Sequence, residues 1–346
     1  AQMYRVNVDD QIPYNVYGNR QDGFTYRGPS NTRTGSIPLG MWRGLGGCES
    51  GFSIPEPQNP DYVWSGCYDG GIEVYNEGTG QVRNVRVWPE AGYGWAPEGM
   101  KYRWYWIVPL VVSEHDGSVY AGSQYVHRTR DRGQSWEVIS DDLTRNLKEH
   151  QQNSGGVATD NLMTYDGSVL YSLAESPLRQ GLLWAGSYDG LLHLSRDGGE
   201  TWTELSEHIP EMPRFGSIGS IAPSPHAEGR AYLTVDAHQL ADFDPYIYRT
   251  DDYGETWTRI DAGIERSPHS FAHILVEDPI RPGLLFAGTD NSVWTSLDDG
   301  GSWIKLRSDM PPAPVYWLTV QERFGDLVVA TYGRGFYILD DLGPLR

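Results

Sequence analysis

Apolar residues fall in short runs of four to six along the whole chain, each closed by Gly, Asp, Asn or Pro. Val119–Gly122 (VYAG), Leu183–Gly186 (LWAG) and Leu285–Gly288 (LFAG) each lead, after a polar turn, into a second run. Those second runs are Val126–Thr129, Leu191–Ser195 and Val293–Ser296. A further apolar run precedes such pairs at Ile107–Val112, Ser217–Ala222, Phe271–Val276 and Val315–Val320. Looser versions occur at Tyr4–Val8, Tyr14–Gly23, Val63–Gly70, Ala231–Asp236 and Val328–Gly335. Runs of this length, rich in β-branched and aromatic residues and bounded by turn formers, predict strands. The pattern divides the 346 residues into seven units of roughly 49, mostly of four short strands.

A local repeat sharpens the pattern. Thr129–Trp136 (TRDRGQSW) recurs as Ser195–Trp202 (SRDGGETW), Thr250–Trp257 (TDDYGETW) and Ser296–Trp303 (SLDDGGSW). The invariant skeleton is Asp131, Gly133 and Trp136; Asp197, Gly199 and Trp202; Asp252, Gly254 and Trp257; Asp298, Gly300 and Trp303. An Asp opening a tight turn accepts hydrogen bonds from the backbone N–H groups ahead of it, and Gly supplies a positive φ. The Trp begins the returning strand and buries a large ring against its neighbour. These residues are expected to be structural, because one turn used four times cannot in every case be one active site.

Four-stranded units of this size, repeated radially, predict an all-β, seven-bladed β-propeller over residues 1–346. A solenoid would want a shorter period and capping ends. The aspartate turns resemble the Asp-box, or BNR, repeat of sialidases, xyloglucanase-type glycoside hydrolases and sortilin-type receptors. Ile139–Thr144, Leu284–Thr289 and Thr331–Asp340 resemble phrases of secreted bacterial sortilin-like and glycosyl-hydrolase-like BNR proteins. That resemblance implies an extracellular or periplasmic protein, with this propeller standing alone or as one of two. The last unit shows strands at Val315–Gln321, Leu327–Tyr332 and Phe336–Leu339 and no outer strand, so a three-stranded blade or one completed from elsewhere is expected. The chain opens at Ala1 without a signal-peptide pattern, as a mature terminus or an excised piece would.

Composition narrows the partners. With 27 Lys+Arg against 46 Asp+Glu, the formal charge is −19, which argues against nucleic acid and against anionic membrane surfaces. The longest apolar run, Trp104–Val112, is interrupted by Pro109 and is far too short to span a membrane. Cys48 and Cys67 are compatible with one disulfide or with two buried thiols. No metal site and no cofactor is expected. His269 and His273 would lie about 13 Å apart on a regular strand, too far to share an ion.

Strands of a propeller run outward from the axis, so alternate loops fall on opposite faces. The long insertions, Trp88–Lys101, Asp141–Gly167 and Asp236–Tyr246, all belong to the face opposite the aspartate turns, which marks it as the binding face. The binding candidates are Tyr102, Arg103, Trp104, Asp160, Asp189, Asp290, Tyr332 and Arg334. Gln21, Asp22, Asp69, Tyr105, Asn161, Asp236, His238, His269 and Tyr316 accompany them. Rings beside carboxylates and arginines suit a glycan or a polar peptide. Asp-Gly and Asp-Asn pairs here are also ordinary hairpin turns, and Tyr102–Trp106 also suits packing between blades.

Glycoside hydrolysis needs two carboxyl groups across the sugar; Asp69, Asp160, Asp189 and Asp290 are the candidates. The sialidase Arg-Ile-Pro signature is missing, since Ser36-Ile37-Pro38 lacks the arginine. The chain has no Gly-x-Ser-x-Gly elbow, zinc-binding helix, phosphate loop or EF-hand. The sequence therefore predicts a non-catalytic recognition or assembly module for a protein or glycan, with a second propeller or assembly partner. A polysaccharide-processing glycoside hydrolase and a structural subunit with an open blade edge are the alternatives.

Overall fold

The strands form seven antiparallel sheets, each ordered as in the chain from the innermost strand outward. This computed structural model describes residues 1–90, 92, 94–153, 168–306 and 309–346. The innermost strands of blades 1 to 7 are Met3–Val8, Ser53–Glu56, Leu110–Val112, Leu170–Glu175, Ser217–Pro223, Ala272–Glu277 and Val315–Gln321. Six sheets have four strands and the seventh has three among the described residues, ending at Gly335–Leu339. The outermost strands are short; in blades 3, 4 and 6 they are Glu137–Val138, Thr203–Glu204 and Ile304–Lys305, two exposed residues each.

The apolar runs are explained by packing on both faces. Every residue of Val119–Gly122, Leu183–Ser187, Leu285–Thr289 and Asp326–Thr331 is buried, since each second strand lies between two neighbouring blades. The described residues hold one apolar cluster for each interface around the ring. Trp184 and Leu194 of blade 4 meet Ile218 and Leu233 of blade 5. Ile274 and Phe286 of blade 6 meet Leu318 and Leu327 of blade 7. The ring closes where Met3, Val6 and Val16 pack on Val328 and Ala330, and where the N–H groups of Gly333 and Gly335 donate to the Ala1 carbonyl. The smallest cluster, Tyr17, Leu45 and Val63, joins blades 1 and 2. A Cys48–Cys67 disulfide links the same two blades, with Cα atoms 5.1 Å apart.

The four repeated turns share one hydrogen-bond scheme. In blade 6, Ser302 donates through N–H and Oγ to Asp298, both at 2.8 Å, while Gly300 N–H donates to Ser296 Oγ at 2.9 Å. Blade 3 repeats it through Ser135, Asp131, Gly133 and Thr129. These donors hold Asp131 and Asp197 down at about 2, the side-chain hydroxyls of Ser135 and Thr201 contributing most. The Trp then fastens one blade to the preceding one. Indole Nε1 of Trp136, Trp202 and Trp303 donates to the carbonyls of Val85, Ile139 and Ile260. Glycine is needed twice over at these turns: Gly300 has φ +85°, and a Cβ there would come within 2.6 Å of Ile260 Cδ1.

Candidate functional site: an aromatic funnel on the axis

A register irregularity recurs in the innermost strands. Tyr171, Gly219, His273 and Tyr316 are each an extra residue against the partner strand, and Tyr4 and Arg5 share one such irregularity in blade 1. A bulge re-aims the side chain it carries. Here the re-aimed side chains meet one another across blades: Tyr316 lies 4.5 Å from His273 and 6.2 Å from Tyr4, ring to ring. Gly219 contributes no side chain, and blade 5 presents the loop from Asp236 to Leu240 instead.

The result is a cavity of about 570 Å³ on the axis. Its walls include Tyr4, Tyr171, His273 and Tyr316 from the innermost strands. Tyr105, Trp106 and Phe215 come from the crossings between blades. Tyr188, Asp189, His238 and Tyr332 come from the loops joining second to third strands. Tyr316 stacks on Tyr332 at 4.7 Å, Tyr105 on Tyr188 at 4.7 Å, and Trp106 Nε1 donates to Tyr4 Oη at 3.0 Å. Burial raises Tyr316, and pushes Tyr188 up to about 12, so these phenols remain neutral donors.

One carboxylate, Asp236, lines this wall paired with an imidazole, and a second, Asp290, meets it through the lining residue His273. His238 Nδ1 lies 2.6 Å from Asp236 Oδ1, and this hydrogen bond raises the histidine above its ordinary value. Asp290 meets His269 Nδ1 at 2.9 Å and His273 Nε2 at 3.3 Å. Burial pushes the Asp290 carboxyl up, but the two imidazoles outweigh it and hold the group low. The regular-strand spacing expected for the two histidines fails because His269 precedes the strand and His273 is the bulged residue; both reach one carboxylate.

The sequence candidates separate into distinct places. Tyr332 lines the cavity, and Tyr105, Asp236, His238 and Tyr316 do so with it. Asp189 also lines it but is buried and accepts from Arg145 N–H, Ser168 N–H and Ser187 Oγ at 2.9, 3.1 and 2.6 Å. Arg334 is exposed in the turn between Asp326–Thr331 and Gly335–Leu339, away from the cavity wall.

Tyr102, Arg103 and Trp104 lie between blades. Arg103 is buried, donating to Ser168 O at 2.8 Å and to Asp142 at 2.7 Å, while Trp104 stacks on His127 and Tyr102 packs edge-on against it. Asp69 is buried too, accepting from Gly92 N–H, and burial raises it. Asp160 and Asn161 lie outside the described residues. Trp106 falls in the Tyr102–Trp106 stretch that the sequence offered, while Tyr4, Tyr171, Tyr188 and Phe215 were not singled out by it. The ring at the second position of four of the seven innermost strands (Tyr4, Tyr171, His273, Tyr316) is the signal that would have found part of this wall.

No protein-family model matches the chain. An oligoxyloglucan-reducing end-specific xyloglucanase of Emericella nidulans is 24% identical over 284 residues, covering 76% of this chain and 32% of that protein. A xyloglucanase of Acetivibrio thermocellus is 32% identical over 120 residues, 32% of this chain and 14% of that protein. The crystal structure of a GH74 xyloglucanase from Xanthomonas campestris matches with a TM-score of 0.66 at 17% identity, over 99% of this chain and 52% of that one. The chain thus spans about a third of the first relative and half of the matched structure. It is a seven-bladed β-propeller that resembles the GH74 xyloglucanases.

Proposed function

We propose that the chain binds a polysaccharide in the axial funnel and serves its hydrolysis, as one propeller of a glycoside-hydrolase-type cleft. The carrying observation is the convergence on one cavity of stacked tyrosines, the Asp236–His238 pair and His273, whose imidazole is held by Asp290 behind the wall. Sugar rings offer apolar faces to aromatic rings, and their hydroxyls pair with phenols and carboxylates. The xyloglucanase relatives favour a β-glucan over a peptide. Asp236 and Asp290 are the proposed working carboxylates. Asp290, held ionised by two imidazoles, suits a base, and Asp236 with its partner His238 suits proton delivery. The four aspartate turns are read as Asp-box repeats, and the disulfide suits an oxidising compartment outside the cytosol.

Recognition without cleavage is the second reading. It is favoured by Asp189, Asp236 and Asp290 each already holding hydrogen-bond donors. Incubation with xyloglucan and other β-glucans, followed by reducing-end assay and binding isotherms, separates the two. Cleavage abolished by Asp236→Asn or Asp290→Asn supports hydrolysis. Binding without new reducing ends supports recognition alone, and neither binding nor cleavage removes the glycan assignment.

A further inference from the structure

Of the 13 tryptophans, just Trp88 and Trp95 are exposed, at 43% and 65%, and both belong to the Trp88–Lys101 insertion. Single exposed apolar residues are ordinary on a protein surface. Two of the largest rings on one loop are not scattered in that way. The loop crosses from Gln81–Asn84, the outermost strand of blade 2, to Leu110–Val112, the innermost of blade 3. It therefore lies on the face where the funnel opens, with the other crossings between blades.

The loop is footed on the body of the propeller. Gly92 N–H donates to the buried Asp69 carboxylate at 2.9 Å, and Pro97 is buried. Lys101 N–H donates to Glu90 Oε2 at 3.1 Å, and Lys101 O accepts from Gln124 Nε2 at 3.1 Å. The Lys101 ammonium sits 3.5 Å over the Trp88 ring and covers one of its faces. Trp95 N–H donates to Gly92 O at 3.3 Å, while its ring stands in solvent. A surface held in place beforehand loses little freedom on binding.

Further contacts tie the loop to the funnel. Glu98 N–H donates to Gln151 O at 3.2 Å, and Glu98 Oε2 accepts from Gln152 Nε2 at 2.7 Å. The preceding residue, His150, lines the cavity 6.2 Å from Phe215, ring to ring, and is itself exposed, so it marks the rim on this side. Trp95 is three residues from Glu98, at most about 11 Å along the backbone. A polymer leaving the funnel over His150 passes within reach of it. Charge selects the polymer. Glu98 and Glu149 are exposed here and the whole chain carries −19, which repels a polyanion. A neutral sugar stacks its apolar face on the indole and accepts from the ring N–H.

We propose that Trp95, with Trp88 on the same loop, forms a distal subsite for a neutral glycan, which holds the part of the chain that has left the funnel over His150. This rests on the glycan reading above and adds to it a preference for a long neutral polymer over a short oligosaccharide or a charged one.

The test uses hydrolysis-resistant, sulfur-linked cello-oligosaccharides of increasing length, with a carboxymethylated long member as the charged control, compared by calorimetry at pH 7 and low salt. Wild-type affinity is expected to go on rising after the funnel is filled, and the charged member to bind more weakly than its neutral counterpart. Trp95→Ala should cost the longest member about 3- to 10-fold, the scale of one aromatic contact, and leave the shortest unchanged. Trp95→Phe should keep part of the gain. The melting temperature should stay within a few degrees of wild type, since the ring is in solvent. Equal loss at every length, no loss at any, or stronger binding of the charged member overturns the subsite and leaves the glycan reading standing. A dimer in sedimentation velocity that Trp95→Ala dissolves gives the ring to a contact between copies and also overturns it. Binding at no length overturns both readings.

Discussion

Two tryptophans at equivalent places in adjacent blades provide a matched experiment. Trp303 is 6% exposed and donates from Nε1 to Ile260 O at 2.6 Å. Trp257 is 7% exposed, but its Nε1 has no partner. The cause is local. The carbonyl expected to receive it belongs to Leu205, which opens the short 3₁₀ turn Ser206–His208 and already accepts His208 N–H at 3.0 Å. Replacing either Trp by Phe removes a similar volume, costing about 1–2 kcal/mol. At position 303 the Ile260 carbonyl is also orphaned, adding about 1–3 kcal/mol. At position 257 an unsatisfied buried donor disappears, which offsets part of the loss. Trp303→Phe should therefore be the more destabilising by roughly 2 kcal/mol. With about 2.1 cal/mol/K per residue of unfolding entropy, that corresponds to a melting difference of about 3 °C in a chain this long. Urea midpoints and calorimetric scans of the two variants measure it directly. If Trp257→Phe costs as much as Trp303→Phe or more, the blade-to-blade hydrogen bond is not what these rings contribute.

Gly300→Ala combines a φ of +85° with a Cβ 2.6 Å from Ile260 Cδ1, and should destabilise by about 2–4 kcal/mol. Gly35→Ala, at φ +76° with open space around it, should cost only about 1 kcal/mol in the same melting assay. Replacing both Cys48 and Cys67 by Ser opens a loop of 19 residues beside the smallest apolar cluster, and should lower stability by about 3 kcal/mol in non-reducing denaturation. Acid should unfold the chain in two stages. Burial holds His127 down at about 3, so the unfolded state binds the extra proton first and stability falls from about pH 6.5 downward. Asp131 and Asp197 are held at about 2, so their contribution is complete above about pH 4 and is lost between there and pH 2. His127→Asn should flatten the upper stage of a denaturant-midpoint profile, and Asp131→Asn with Asp197→Asn the lower one.

The blades were legible because their causes are local. A turn of Asp, Gly, Ser or Thr and Trp satisfies its own backbone within eight residues, so four copies announce four hairpins without tertiary information. Continuous apolar runs such as Val119–Gly122 reported burial on both faces, and their spacing gave the number of units. The face carrying the insertions was likewise readable, since strand order alone decides it.

Which side chains reach the axis was not readable, because that depends on register between strands. Tyr171 is an ordinary strand residue until the pairing of Leu170 with Ser187 and Ser172 with Gly186 makes it the extra one. Arg103 looked available for a ligand, and the fold commits it to Ser168 and Asp142. Cys48 and Cys67 could have been thiols until blades 1 and 2 brought them together. The sequence by itself determined a ring of blades, because hydrophobic period and turn chemistry act within a few residues. Only the tertiary structure decided the funnel, because seven innermost strands must close around one axis before a bulged residue has anything to face.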